Sequence, residues 1–171
     1  MGSGSQKIFV TVKAFSKRGQ LLQRPDFQTL AESRDLDELV TRIKNTKYLD
    51  AVNGVSKPYT AEKLEMALRA NLAETQFGLA KSSGNSKILD AFFQKFIISN
   101  LKLILKGKIL GKSQDEISAF FNMHAEELTK QRDMVVKALV AKDLEEAVSS
   151  LGSSPFSAEI QKAVELYNET K

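Results

Sequence analysis

Arg34-Asp35-Leu36-Asp37-Glu38-Leu39-Val40 is written a second time, as Lys142-Asp143-Leu144-Glu145-Glu146-Ala147-Val148. Both copies place an aspartate at an N-cap position and a glutamate three residues later. In that capping-box spacing, side-chain oxygens satisfy backbone N–H groups that a helix start leaves unpaired. In the first copy Leu36, Leu39, Val40 and Ile43 then recur at helical spacing and mark one apolar face. The copies lie 108 positions apart, counted from Asp35 to Asp143. The match keeps its order through Ile43 with Leu151, and through Thr46-Lys47-Tyr48 with Ser154-Pro155-Phe156. Leu64-Glu65-Met66-Ala67-Leu68 then pairs with Ile160-Gln161-Lys162-Ala163-Val164 at a displacement of 96, so the second copy lacks about twelve residues of connection. An ordered match over three blocks argues for a repeated helical unit, and its period is too long for a tetratricopeptide or ankyrin array.

The rest of the chain reads as helix almost throughout. Ile8, Val12 and Phe15 sit at helical spacing, while Ile8, Val10 and Val12 also alternate as in a strand, so periodicity leaves that segment open. Pro25 suits the first turn of a short helix over 25–33. Thr46 to Tyr59 reads as irregular or weakly helical, with Asn53-Gly54 and Lys57-Pro58 as breakers. Thr60 is a good N-cap for a long helix reaching about Lys81. Leu64, Leu68 and Leu72 form one stripe of it, and Met66, Ala70, Ala73 and Phe77 the next. Ser82-Ser83-Gly84-Asn85 ends it with residues that tolerate a left-handed backbone. The stretch 86–110 reads as the most apolar helix, central to a bundle. Gly107 and Gly111 loosen the chain before a second capping box, Ser113 to Glu116. Helices are expected over 114–121, 125–141 and 158–167, and the fold class is all-α, a bundle of helices.

Composition narrows the function classes. With 42% hydrophobic and 27% charged residues the chain falls in the globular range. It has no cysteine, which removes disulfides, zinc–thiolate sites and cysteine nucleophiles. The single histidine, His124, builds no histidine-rich metal site by itself, and at a helix start it reads as an ordinary surface residue. Gly107-Lys108-Ile109-Leu110-Gly111-Lys112-Ser113 ends like a phosphate-binding loop, but its glycines are one residue too close and no strand precedes them. Nothing marks a nucleophile with its base. The chain reads as a non-enzyme that needs no cofactor, no metal and no small-molecule substrate. No apolar run has the length of a membrane span, and residues 1–6 read as a flexible leader. The net charge of +4 suits nucleic acid, an anionic membrane surface or an acidic protein partner, though solubility alone accounts for it as well.

Two basic clusters stand out as candidate partner-binding residues. Lys102, Lys106, Lys108 and Lys112 surround the end of the apolar helix, with Lys102 and Lys106 on one helix face. Lys13, Lys17 and Arg18 lie on the N-terminal segment. Such cations fit carboxylates on a protein partner or anionic headgroups. The other reading is a solvated polar strip on a buried helix.

The order of these pieces resembles the C (or d) subunit of archaeal and vacuolar rotary ATPases. The resemblance rests on Leu21-Leu22, Phe27 to Leu30, the Asp35 segment, Thr46-Lys47-Tyr48, the helix carrying Leu64 and Leu68, and Asn100-Leu101-Lys102. It covers roughly residues 7–171 and about the first half of a typical member. Ile97-Ile98-Ser99 departs from the family, whose members usually carry an acidic residue just before Asn-Leu-Lys. The resemblance implies similar all-helical units about a pseudo-threefold axis, here 7–112 as a first unit and 113–171 as a partial second. It also implies a non-catalytic central-rotor part, cytoplasmic and peripheral to the membrane. Such a part links the central stalk to the membrane proteolipid ring and couples ATP turnover to proton or sodium transport. A generic helical adaptor and a basic helical nucleic-acid-binding domain are the alternatives. Acidic residues are dispersed among the basic ones and no nucleic-acid reading motif appears, so nucleic acid is not expected as a partner.

Overall fold

In the computed structural model, which describes residues 3–84 and 86–170, the described chain is α-helical with no strand. The helices are α1 (Ser3–Gly19), α2 (Arg24–Ala31), α3 (Leu36–Lys44), α4 (Leu49–Asn53), α5 (Ala61–Ser82) and α6 (Lys87–Phe93). They continue as α7 (Lys95–Ile109), α8 (Gln114–Ser118), α9 (His124–Thr129), α10 (Arg132–Val140), α11 (Leu144–Ser150) and α12 (Ser157–Glu169). The N-terminal segment is thus helix rather than strand, and α1 opens at Ser3, inside the stretch read as a leader. Contacts divide the chain between Gln94 and Lys95 into two compact units.

The first unit buries Val40, Ile43, Val52 and Leu64, with Leu30, Leu36, Tyr48 and Leu68 packed around them. The second unit has the larger core, in which Ile97, Leu101 and Ile104 of α7 meet Val135 and Ala138 of α10, Leu151 and Ile160. Each fully buried Val, Leu or Ile among them contributes about 1.5–3 kcal/mol by leaving water.

The repeat in the sequence is also a repeat of hydrogen bonds. Asp35 Oδ1 accepts from the Glu38 N–H at 2.8 Å, and Asp143 Oδ1 accepts from the Glu146 N–H at 2.9 Å. Each glutamate reaches past its N-cap: Glu38 accepts from the Arg34 N–H at 3.0 Å and Glu146 from the Lys142 N–H at 2.7 Å. Beyond the helices, the Thr46 hydroxyl accepts from the Tyr48 N–H at 3.1 Å, as the Ser154 hydroxyl does from the Phe156 N–H at 3.3 Å. Ile43 and Leu151 are buried at equivalent places, as are Leu64 and Ile160. The same displacement of 108 carries Arg24, where α2 begins, onto Arg132, where α10 begins. The difference between the copies is equally clear. In the first, α4 and a loop separate Tyr48 from the N-cap Thr60; in the second, Phe156 stands in both places and caps α12 directly. Asp35→Ala and Asp143→Ala are each expected to lower stability by about 1 kcal/mol, and by similar amounts, in urea unfolding followed by circular dichroism.

Three expectations need correction. The stretch 86–110 is two helices, interrupted at Gln94, because its two ends enter different cores. Phe93 is buried with its ring 5.5 Å from that of Phe77 in the first unit, whereas Ile97 belongs to the core of the second. The stretch 125–141 is broken at Lys130, which takes a left-handed backbone with φ 60°. There the Gln131 N–H returns to Glu126 O at 2.8 Å and the Lys130 N–H to Glu127 O at 3.2 Å, the bond pattern of a Schellman cap. Gly107 does not loosen the chain. It lies buried inside α7, where a Cβ would come within 2.6 Å of the Ile117 side chain, so its missing side chain is what lets α8 approach. Gly111 ends α7 at φ 63°, with the Lys112 N–H bonded to Gly107 O at 2.9 Å. These two roles account for the phosphate-loop-like glycines.

Candidate functional site

The basic cluster near residue 105 separates into residues that hold the fold and residues that face solvent. Lys108 is half-buried, and its ammonium donates to the Ala141 carbonyl at the end of α10. That bond satisfies one of the carbonyls a helix leaves open at its C-terminus. Lys112 is exposed and pairs with Glu116 at 2.7 Å across one helical turn. The Lys112 ammonium, then the N–H and hydroxyl of Ser113, hold the Glu116 carboxyl down at about 2. Lys108 is thus tied to the fold, while Lys112 makes an exposed ion pair.

Lys102 and Lys106 are different. Both are exposed on α7, with no ion pair or hydrogen bond to another described residue. Lys95, missed by sequence reasoning, falls on the same line of the helix and is also exposed, with its ammonium 4.9 Å from the centre of the Phe96 ring. It lies seven residues before Lys102, and that spacing was the signal that would have found it. The line from Lys95 to Lys106 runs about 16 Å at the helical rise. No acidic residue occurs on α7 to neutralise it. The opposite side of the helix carries Ile97, Leu101 and Ile104 into the core, so the cations are mounted on a packed helix.

The second basic cluster divides in the same way. Lys13 is half-buried and donates to Gly78 O at 3.0 Å and to Ser82 Oγ at 2.8 Å. It fastens α1 to α5, while Lys17 and Arg18 are exposed. The structure does not bring the two clusters into one unit, since α1 belongs to the first and α7 to the second.

Of the motif residues, Leu64 and Leu101 are buried core and Leu68 packs beside Leu64. Asn100 is a clip: its amide donates to the Asn122 carbonyl at 2.8 Å and to Glu126 Oε1 at 2.7 Å. Glu126 is the one charged residue buried among those described, with 0% of its surface exposed. Burial pushes its carboxyl above the ordinary range, and the Asn100 hydrogen bond opposes that rise only in part. Its Oε2 has no hydrogen-bond partner. His124 is half-buried and its Nε2 is enclosed without a partner, which corrects its reading as a surface residue. Among the described residues no group of three or more His, Asp or Glu side chains has the arrangement of a metal site. No helix among them is long and apolar enough to cross a membrane.

Comparison with known proteins gives one consistent answer. The family model of the ATP synthase (C/AC39) subunit matches residues 10–171. The C subunit of the A-type ATP synthase of Methanocaldococcus jannaschii is 28% identical over 171 residues, which cover 95% of this chain and 41% of the relative. That of Methanothermobacter thermautotrophicus is 30% identical over 152 residues, covering 82% of this chain and 38% of the relative. That of Archaeoglobus fulgidus is 30% identical over 165 residues, covering 94% and 46%. The chain therefore spans about two fifths of the length of these relatives. No solved structure matches it. With the family model running from within α1 through α12, over both copies of the repeat and the Asn100 clip, the chain belongs to the ATP synthase (C/AC39) subunit family.

Proposed function

We propose that this chain is a non-catalytic part of the central rotor of an archaeal-type ATP synthase, joining the central stalk to the membrane proteolipid ring. In that position it couples ATP turnover to proton or sodium movement. It works on the cytoplasmic face, peripheral to the membrane. The observation that carries the reading is the family match over residues 10–171. The line of Lys95, Lys102 and Lys106 supports it, because an element that passes force to a neighbour needs contact groups fixed on a packed helix. Ammonium groups in such a line fit carboxylates of a stalk or ring partner, and pairs of this kind are salt-sensitive when exposed.

The test is capture of partners from solubilised archaeal membranes by the tagged chain. Recovery of the proteolipid ring or a central-stalk component is expected at low salt, and recovery of neither sinks the proposal. The Lys102→Glu/Lys106→Glu double variant is expected to retain its thermal unfolding midpoint, since both side chains are exposed. Its partner affinity is expected to fall about tenfold at low salt, with the difference shrinking as added salt shortens the screening length.

A further inference from the structure

The first copy of the repeat contains a segment that the second lacks. Around it the elements correspond: Ile97, Leu101 and Ile104 of α7 stand 89 positions after Ile8, Val12 and Phe15 of α1, α11 repeats α3, and α12 repeats the start of α5. The extra segment is α4 with the loop that follows it, and α4 lies against α3 and α5. Val52 is fully buried there, and Val55 and Tyr59 pack into the same core as Leu36, Val40 and Leu68. The Lys57 ammonium pairs with Asp37 of α3. The segment is thus a plug. Two valines three residues apart fill the space beside the helices, and a lysine two residues later closes the rim.

In the second copy the same wall is open. A groove of about 680 Å³ runs between α11, α12 and the end of α7, lined by Leu144, Glu145, Val148 and Val164 with Ile109 and Tyr167 beside them. The first four stand in the places of Leu36, Asp37, Val40 and Leu68, at the displacements of 108 and 96 that relate the copies. Val40 is 1% exposed, whereas Val148 is only half-buried. Glu145 is exposed and has no ion pair with another described residue. The other charges that line the groove are committed to the fold: Asp143 caps α11, and Lys108 holds the Ala141 carbonyl.

We propose that this groove is a docking site for a segment of a separate protein, one that carries two aliphatic side chains three residues apart and a cation shortly after them. The first copy supplies the pattern of that occupant in Val52, Val55 and Lys57, and Glu145 stands where Asp37 meets the lysine. Half of the side chains around the groove are polar, which is the composition of an interface between proteins that separate and not of a permanent core. A second copy of this chain offers no free segment of the kind, because its own is seated with Val52 at 0% exposure. An anionic lipid surface is disfavoured by the Glu145 carboxylate. The proposal rests on the repeat and not on the rotor role, so it stands or falls separately from the partner-capture test.

The experiment titrates the isotope-labelled chain with a synthetic peptide of residues 48–60 and follows the amide resonances. The expected result is saturable binding, with shifts gathered on α11 and α12 and none on α3 or α5. A peptide with Val52→Asp and Val55→Asp is expected to bind about tenfold more weakly or worse, since burial of both aliphatic side chains is lost. Glu145→Lys in the chain, at an exposed position, is expected to leave the unfolding midpoint near that of the parent and to weaken binding about threefold at low salt. The titration is repeated with the unmatched part of the Methanocaldococcus jannaschii relative in excess, where peptide binding is expected to persist. Absence of shifts on α11 and α12 overturns the proposal, as does binding indifferent to either change. Loss of peptide binding beside the relative's remaining part would mean that the family polypeptide itself covers the groove, and overturns it too. Shifts of the same residues on anionic vesicles, or on raising the concentration of the chain alone, would assign the groove another occupant and overturn it as well.

Discussion

Ile97→Ala is expected to destabilise the second unit by about 3 kcal/mol, whereas Ile8→Ala is expected to change stability by less than about 0.5 kcal/mol. The substitution is the same and the two residues occupy matching places in α7 and α1, yet one is 0% and the other 67% exposed. At Ile97 the lost side chain leaves a cavity among Leu101, Val135 and Leu151, which packed helices close only in part. At Ile8 nothing of the described chain is left unfilled. Urea unfolding of both variants, followed by helix content and by amide exchange on α7 and α10, gives the comparison. Equal costs at the two sites would mean that the Ile8 face is covered in solution.

The second large effect concerns the Asn100 clip. Asn100→Ala removes the donor to Glu126 Oε1 and to the Asn122 carbonyl, and is expected to cost about 1–3 kcal/mol because buried acceptors are left without partners. Glu126 also makes stability depend on pH. Burial raises its carboxyl above the ordinary 4.5, so the folded chain holds that proton more tightly than the unfolded chain does. Where pH rises above about 4.5, the unfolded chain releases the proton first, and the contribution of Glu126 to stability falls. The deficit is complete once the folded carboxyl has ionised as well, and it persists at higher pH. Glu126→Gln keeps an acceptor for Asn100 and carries no charge, so it is expected to raise stability at neutral pH. The gain over the parent chain should vanish near about pH 4. Urea midpoints of parent and variant at the two pH values decide it, and a gain equal at both would assign the effect to something other than ionisation.

How far the structure could be read from the chain depends on how local each cause is. Asp35 and Asp143 announced their helices because a cap and the N–H it binds lie three residues apart. Thr60 announced α5 for the same reason. The break at Gln94 has no glycine or proline to signal it and follows from Phe93 and Ile97 entering separate cores, a tertiary effect. Lys130 adopts a left-handed backbone without being glycine or asparagine, so the end of α9 was hidden as well. Among the candidate cations, the shared helix face of Lys102 and Lys106 was legible from spacing alone. Lys13 and Lys108 were not separable from them, since their acceptors are backbone groups 65 and 33 positions away. The Asn100–Glu126 bond spans 26 positions and left only a faint trace, a polar residue amid an apolar run.

The junction between Phe156 and Ser157 is, in engineering terms, a port. The first copy of the repeat already accommodates α4 and a loop at that place while Leu64 keeps the buried position that Ile160 holds in the second. A reporter peptide or cross-linking tag of a dozen residues can be entered there on the pattern the molecule itself supplies. The second unit would then carry a handle, with the Asp143 cap upstream left as it is and the last residue of the insert taking over from Phe156 as the N-cap of α12, as Thr60 does for α5.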